Sequence, residues 1–257
     1  MQLMYLDERL KGIPPGRFIE VGPGSGEITS RLLRAGWSGT VYDLSGETVS
    51  NIKQRFTAEI EAGRLHAISG DFLSSSPHDS EEKSDMIISC MVMEHMDDEA
   101  EHKFMEYSKT RLNAGGHMIG LVPASPRHWG VEDDIAGHIR RYTRDSLKTL
   151  MRSTGWKIEH LAGLTYPVSN LLFPLSNFLV RRNEANKLEL SYLDRTKHSG
   201  RRNVNFKTHF PSVLKLFLNE LSMLPLYWIQ KLFSKSDNAL VLYFEAAYLP
   251  KVIPNGK

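Results

Sequence analysis

At 257 residues, with 41% hydrophobic and 24% charged side chains, the chain has the composition of an ordinary folded domain, which excludes a disordered, collagen-like or disulfide-stapled polypeptide. Thirty-two basic residues against 30 acidic ones leave a formal charge of +2, too close to balance for bulk charge to recruit a nucleic acid. The single cysteine, Cys90, cannot form an internal bridge, and residues 1–12 lack the basic start and apolar run of a secretory leader, so the reading is cytoplasmic. The length suits one large domain carrying an elaborated lid.

In chain order, near-continuous apolar runs at 17–21, 40–44, 65–69, 85–92 and 117–122 read as strands buried on both faces. Between them, Ile28, Leu32 and Leu33, then Val49, Ile52, Phe56 and Ile60, then Phe104, Met105, Ser108 and Leu112 fall at the three- and four-residue spacing of a helix face. Such alternation predicts crossover units and a doubly wound α/β fold with a parallel sheet. The chain starts close to the first strand. After Pro123 a loop with Arg127, Trp129, Asp133, Asp134 and His138 leads to Thr143, which caps a predicted helix through Leu147, Leu150 and Met151 ending at Gly155. Strands follow at 156–164 and 239–248.

The pattern predicts a main domain of residues 1–164 and 238–257, interrupted by a helical insertion over 165–237. The insertion opens with an uncharged, helically spaced run at 167–180, shorter than the roughly 20 residues that span a bilayer. Residues 181–210 hold eight basic against three acidic side chains, and 210–233 is again apolar, interrupted by Lys215, Glu220 and Lys231 and by a kinking Pro225. Four readings of the insertion stand open: a substrate lid, a peripheral membrane contact through 167–233, a homodimer interface, or packing on the core.

The strongest local motif is Glu20-Val21-Gly22-Pro23-Gly24-Ser25-Gly26, between the first predicted strand and helix, where glycines let a ligand approach the backbone. A plain tight turn is the bland reading. A dinucleotide fingerprint needs a third glycine where Glu27 stands, and an acid at that helix start disfavours a pyrophosphate. Asp43 ends the second strand and Gly70-Asp71-Phe72 follows the third; a helix cap and a turn acid are their bland readings.

Together these motifs resemble class I S-adenosylmethionine-dependent methyltransferases, over about 12–164 plus the final strand. The resemblance implies a Rossmann-like, seven-strand, mostly parallel sheet with an antiparallel last strand. S-adenosylmethionine is the implied cofactor and S-adenosylhomocysteine the product. It places Glu20, Gly22, Gly24 and Gly26 along the methionine part and Asp43, with Leu44 beside it, on the ribose hydroxyls. Asp71 falls on the adenine amino group, Phe72 on the ring or offering its amide, and Cys90 and Met91 beside the methyl. Carboxylates suit neutral hydroxyl and amino donors.

The fourth strand ends in Cys90-Met91-Val92-Met93-Glu94-His95. A Glu-His pair stands there in many members that act on small molecules. The Asn/Asp-Pro-Pro-aromatic tetrad of amino-group methyltransferases acting on nucleic acids is absent, so no nucleic-acid partner is expected. Quinone-pathway O-methyltransferases associated with metal carry a further Glu where Met91 stands, so no metal is expected. Cys90 also reads as a plain strand residue.

Gly137-His138-Ile139-Arg140-Arg141-Tyr142-Thr143 resembles a segment of a bacterial methyltransferase branch linked to surface-polysaccharide and lipid-linked sugar pathways. His138 reads as the general base for an acceptor hydroxyl, with His95 the alternative, because histidine titrates near neutrality. Arg140, Arg141 and Tyr142 read as binders of an anionic acceptor, and Trp129 as a wall of the acceptor pocket; His117 and His128 read as structural. The resulting expectation is methyl transfer to an oxygen of a small or lipid-linked acceptor, at the inner membrane face if the insertion touches lipid. O- or C-methylation in quinone or secondary-metabolite synthesis, a cofactor-binding but silent partner subunit, and a nicotinamide oxidoreductase are the alternatives.

Overall fold

The computed structural model describes residues 1–74, 83–184 and 220–248. Strands β1 (Arg17–Val21), β2 (Ser38–Asp43), β3 (Leu65–Ser69), β4 (Ser84–Cys90), β5 (Leu112–Pro123), β6 (Trp156–Leu164) and β7 (Val241–Tyr248) form one seven-stranded sheet in the order β3-β2-β1-β4-β5-β7-β6. β1 to β5 pair in parallel, and β7 runs antiparallel between β5 and β6. Phe18 and Ile19 of β1 and Met86, Ile87 and Ile88 of β4 are buried on alternating faces, as a sheet covered on both sides requires.

The α-helices of the described residues are α1 (Gln2–Leu10), α2 (Glu27–Arg34), α3 (Gly46–Arg55), α4 (Thr57–Glu61), α5 (Asp98–Thr110), α6 (Val131–Ala136), α7 (Arg144–Ser153), α8 (Val168–Glu184) and α9 (Glu220–Leu232), with short 3₁₀ turns at Phe72–Ser74, Met93–His95 and Pro126–His128. Thr143 and Ser146 form the capping box that starts α7, and Gly155 takes the left-handed turn after it. Three expectations need correction. A nine-residue helix, α1, precedes β1, burying Tyr5, Leu6 and Leu10. The stripe from Val49 to Ile60 is broken at Phe56, whose φ of −118° and ψ of 35° leave the helical region and separate α3 from α4. Leu112 belongs to β5 and not to the preceding helix.

α8 and α9 lie between β6 and β7 in the chain, with Pro174 and Pro225 inside them. Val180 of α8 packs on Ile135 of α6, and Tyr227 of α9 is buried against the cluster that holds Tyr5. Their outer faces leave Leu171, Phe178, Leu221, Trp228 and Leu232 exposed. Most of the basic stretch 181–210, and Lys215, fall outside the described residues. No helix among the described residues is long and apolar enough to cross a membrane.

Candidate active site

The strand order reverses between β1 and β4, and at such a switch point the loops leaving the carboxyl ends of neighbouring strands part to form a crevice. The loops after β1 and β4 meet so closely that a Cβ on Gly22 would stand 2.5 Å from Val92 Cγ2. Gly22 at φ +74° and Gly24 at φ +52° occupy the left-handed region. Met91 shares it at φ +57°, with its amide bonded to the Leu121 carbonyl at 2.8 Å. A cavity of about 1110 Å³ opens here, lined by both glycines, Asp43, Leu44, Asp71, Phe72, Cys90, Met91, His95 and His138, with α8 forming one wall.

Asp43 Oδ1 accepts the Ser45 amide at 2.8 Å, and Asp71 Oδ1 accepts the Leu73 amide at 3.0 Å, so both acids stand at the rim with their turns already set. Phe72 is buried, edge-on to Tyr42, Phe104 and Tyr107. It is a core ring and not a stacking platform, which favours its main chain as the group that meets a ligand. Glu20 does not line the cavity: it is buried behind the glycine turn, where Oε2 accepts the Thr29 hydroxyl at 2.6 Å. Burial pushes its carboxyl up to about 7, against the Thr29 hydrogen bond. Gly26 also serves packing, since a Cβ there would lie 2.7 Å from Ile52 and 2.8 Å from Phe56. Burial raises the Cys90 thiol well above the range of a reactive thiolate.

The other end of the cavity is built from the loop after β5. The Ile139 amide donates to the Glu94 carbonyl at 2.9 Å, tying that loop to the one after β4. His138 Nδ1 lies 2.8 Å from Asp133 Oδ1 and its Nε2 3.6 Å from Glu94 Oε1. His95 Nδ1 lies 3.0 Å from the Gly137 carbonyl, and the two rings meet edge to face with centroids 5.0 Å apart. Because a carboxylate and a carbonyl only accept, both Nδ1 atoms carry hydrogen. Burial raises the Asp133 carboxyl, but hydrogen bonds from His138 and Arg141 outweigh it and hold the group below its ordinary value. Burial, with the charge of Asp133, pushes Glu94 up to about 8.

The expected acceptor binders divide. Arg141 lines the cavity, but its Nε donates to Asp133 and its Nη1 to the Ala124 carbonyl, each at 2.9 Å. Arg140 turns away, pairing with Asp98 at 2.8 Å and Glu101 at 3.1 Å, and the buried Tyr142 hydroxyl donates to Glu101. Trp129 is 40% exposed, outside the cavity, with Nε1 donating to Asp134. These three are corrected to scaffold and surface positions, because buried Glu101 on α5 draws Arg140 and Tyr142 inward. Asp133 as the orienting partner of His138, and Phe173 on the α8 wall, were not singled out from the sequence, whereas Leu172 and Leu179 of that wall belong to the apolar run at 167–180. The spacing Asp133 to His138 was the only signal for the former.

The donor set fits a sulfonium nucleoside. The missing Cβ of Gly24 faces open space, acids stand at the ends of two neighbouring strands, and the one basic side chain among the described lining residues, Arg141, is neutralised by Asp133. At the start of α2, Glu27 pairs with Arg55 at 2.8 Å.

Known proteins agree with this fold. The chain is 29% identical over 73 residues to ribosomal RNA small subunit methyltransferase A of Synechococcus sp. (strain JA-2-3B'a(2-13)), a match over 28% of this chain and 25% of that protein. It thus spans about a quarter of that relative's length. The glycopeptide N-methyltransferase MtfA in complex with S-adenosylhomocysteine superposes with a TM-score of 0.55 at 11% identity, over 96% of this chain and 89% of the other. TehB from Haemophilus influenzae gives 0.50 at 15% identity, over 63% and 55%. These likenesses speak for the fold. Residues 5–161 match the family described as "Methyltransferase domain", and the chain therefore belongs to that family and is built as a class I S-adenosylmethionine-dependent methyltransferase.

Proposed function

We propose that the protein moves the methyl group to an oxygen atom of a small or lipid-linked acceptor in glycan assembly. The observation that carries this reading is the His138–Asp133 pair, held at 2.8 Å with both residues lining the same cavity as Asp43. Bound S-adenosylmethionine supplies an electrophilic methyl group whose leaving sulfur is already cationic. Positioning then accounts for most of the rate. An acceptor hydroxyl must still lose its proton, and the Nε2 lone pair of His138 is placed to take it while Asp133 stabilises the resulting imidazolium.

The α8 wall supports an acceptor with an apolar part, through Leu172, Phe173 and Leu179. The same wall favours a second reading, O- or C-methylation of a quinone or similar secondary metabolite. The glycan assignment rests on the segment 137–142. The insertion 165–237 serves as the lid in this reading, and its exposed Leu171, Phe178, Trp228 and Leu232, with Arg181, Arg182 and Lys231 close by in sequence, suit a seat on an anionic membrane surface at the cytoplasmic side.

The test is incubation with methyl-labelled S-adenosylmethionine and a panel of acidic sugars, lipid-linked sugars and quinols, with the product atom identified by mass spectrometry. Label on a sugar oxygen supports the reading, and His138→Ala then lowers turnover about 10²- to 10⁴-fold with S-adenosylhomocysteine affinity unchanged. Label on a quinol moves the conclusion to the second reading. Label on nitrogen refutes an oxygen acceptor, and cofactor binding without transfer to any acceptor points to a silent subunit.

A further inference from the structure

We propose that Glu94, His95 and His138 form a site for one divalent first-row transition-metal ion. Each offers one ligand atom, and the three lie within 4.8 Å of one another. Three features of the surroundings support a cation. The Glu94 side chain is fully buried, and neither of its carboxylate oxygens finds a hydrogen bond among the described residues. A buried carboxylate without a donor is costly, and a cation would offset that cost.

Both histidines also have the support that metal-bound imidazoles show, with Nδ1 of His138 against the Asp133 carboxylate and Nδ1 of His95 against the Gly137 carbonyl. Ligands about 2.0–2.2 Å from a tetrahedral ion lie roughly 3.4 Å apart, and His138 Nε2 is 3.6 Å from Glu94 Oε1. Finally, Asp133 is already matched by Arg141 at 2.9 Å, which leaves the Glu94 carboxyl as the acid of the cluster with no hydrogen-bond partner among the described residues. Two imidazoles and one carboxylate select zinc, manganese, iron or cobalt over magnesium or calcium, and a three-residue set leaves a position open.

The existence of the site follows from these residues alone. Its role rests on the reading of the cavity as a place where an acceptor oxygen is methylated, and it recasts His138 from proton acceptor to ligand. When bound, the ion would supply Lewis acidity that lowers the pKa of an acceptor hydroxyl held beside it, whose proton would pass to bulk water. The oxygen then forms the C–O bond as the C–S bond breaks with its electron pair going to sulfur.

The experiment uses tag-free, chelator-stripped full-length protein titrated with Zn²⁺ against a chromogenic chelator and with Co²⁺ followed by visible absorption. One equivalent is expected, with Co²⁺ bands of a nitrogen- and oxygen-ligated ion. Glu94→Gln and His138→Ala each weaken binding by at least about 100-fold, and Asp133→Asn by about 10- to 100-fold. Melting curves and S-adenosylhomocysteine titration identify which variants remain folded. Absence of stoichiometric binding overturns the site, as does binding that survives in folded Glu94→Gln and His138→Ala. Zinc binding without S-adenosylhomocysteine binding would sink the methyl-transfer reading and leave the metal site standing. Binding with turnover indifferent to chelation would overturn the assigned role.

Discussion

Asp43 Oδ1 accepts the backbone amide of Ser45 at 2.8 Å, and the Ser45 hydroxyl in turn accepts the Thr48 amide at 3.2 Å to cap α3. One carboxylate thus organises a helix start while standing at the cavity rim. The two duties separate by substitution. Asp43→Asn keeps an oxygen for the Ser45 amide but removes the charge offered to the ribose hydroxyls. Its melting temperature should stay near wild type, while S-adenosylhomocysteine affinity falls about tenfold or more, the cost of charge-assisted hydrogen bonds. Asp43→Ala should lose affinity as well as about 0.5–2 kcal/mol of stability through the disturbed cap. Calorimetric titration beside thermal melting checks both, and unchanged affinity in both variants would remove Asp43 from the cofactor site.

Gly22 and Gly24 share the left-handed backbone but differ in surroundings. At Gly24 a β-carbon meets no atom within 4 Å, whereas at Gly22 it would strike Val92. Gly24→Ala should therefore fold, at a backbone cost of about 1–2 kcal/mol, and weaken the cofactor by intruding on its space. Gly22→Ala should be the more destabilised of the two by several degrees in melting temperature. The reverse order would show that the space beside Gly24 is not where the ligand lies.

Glu20 makes a pH prediction. Burial moves its carboxyl from the ordinary 4.5 up to about 7, so folding favours the protonated form. The stability this group contributes is whole below about 4.5 and is lost as the pH rises toward 7, by an amount on the order of 3 kcal/mol. Glu20→Gln keeps an acceptor for Thr29 and does not ionise. Chemical denaturation of both proteins from pH 5 to pH 8 should show the variant gaining on wild type with rising pH, and parallel curves would contradict the shift.

The sheet and the glycine turn are local chemistry, and the sequence carries them openly. Apolar runs such as 17–21 and 85–92 announce strands covered on both faces, and Gly22 and Gly24 stand where only residues without a Cβ sit comfortably. Thr143 is legible for the same reason, because a cap is a contact between residues three apart. The N-terminal helix is not legible: its buried Tyr5 stacks on His160 of β6 and meets Tyr243 of β7 and Tyr227 of α9, all from the far end of the chain. Nor is the fate of Gly137 to Tyr142, where one basic run is split three ways by what lies behind it. Arg141 turns to Asp133, Arg140 and Tyr142 turn to Glu101, and His138 is carried to Glu94 by a single backbone hydrogen bond from Ile139. Residue type fixes which groups can titrate, ligate or pair. Which of them meet is settled by buried acids, Asp133 close by in the chain and Glu94 and Glu101 from other elements, since burying a carboxylate without a partner is costly.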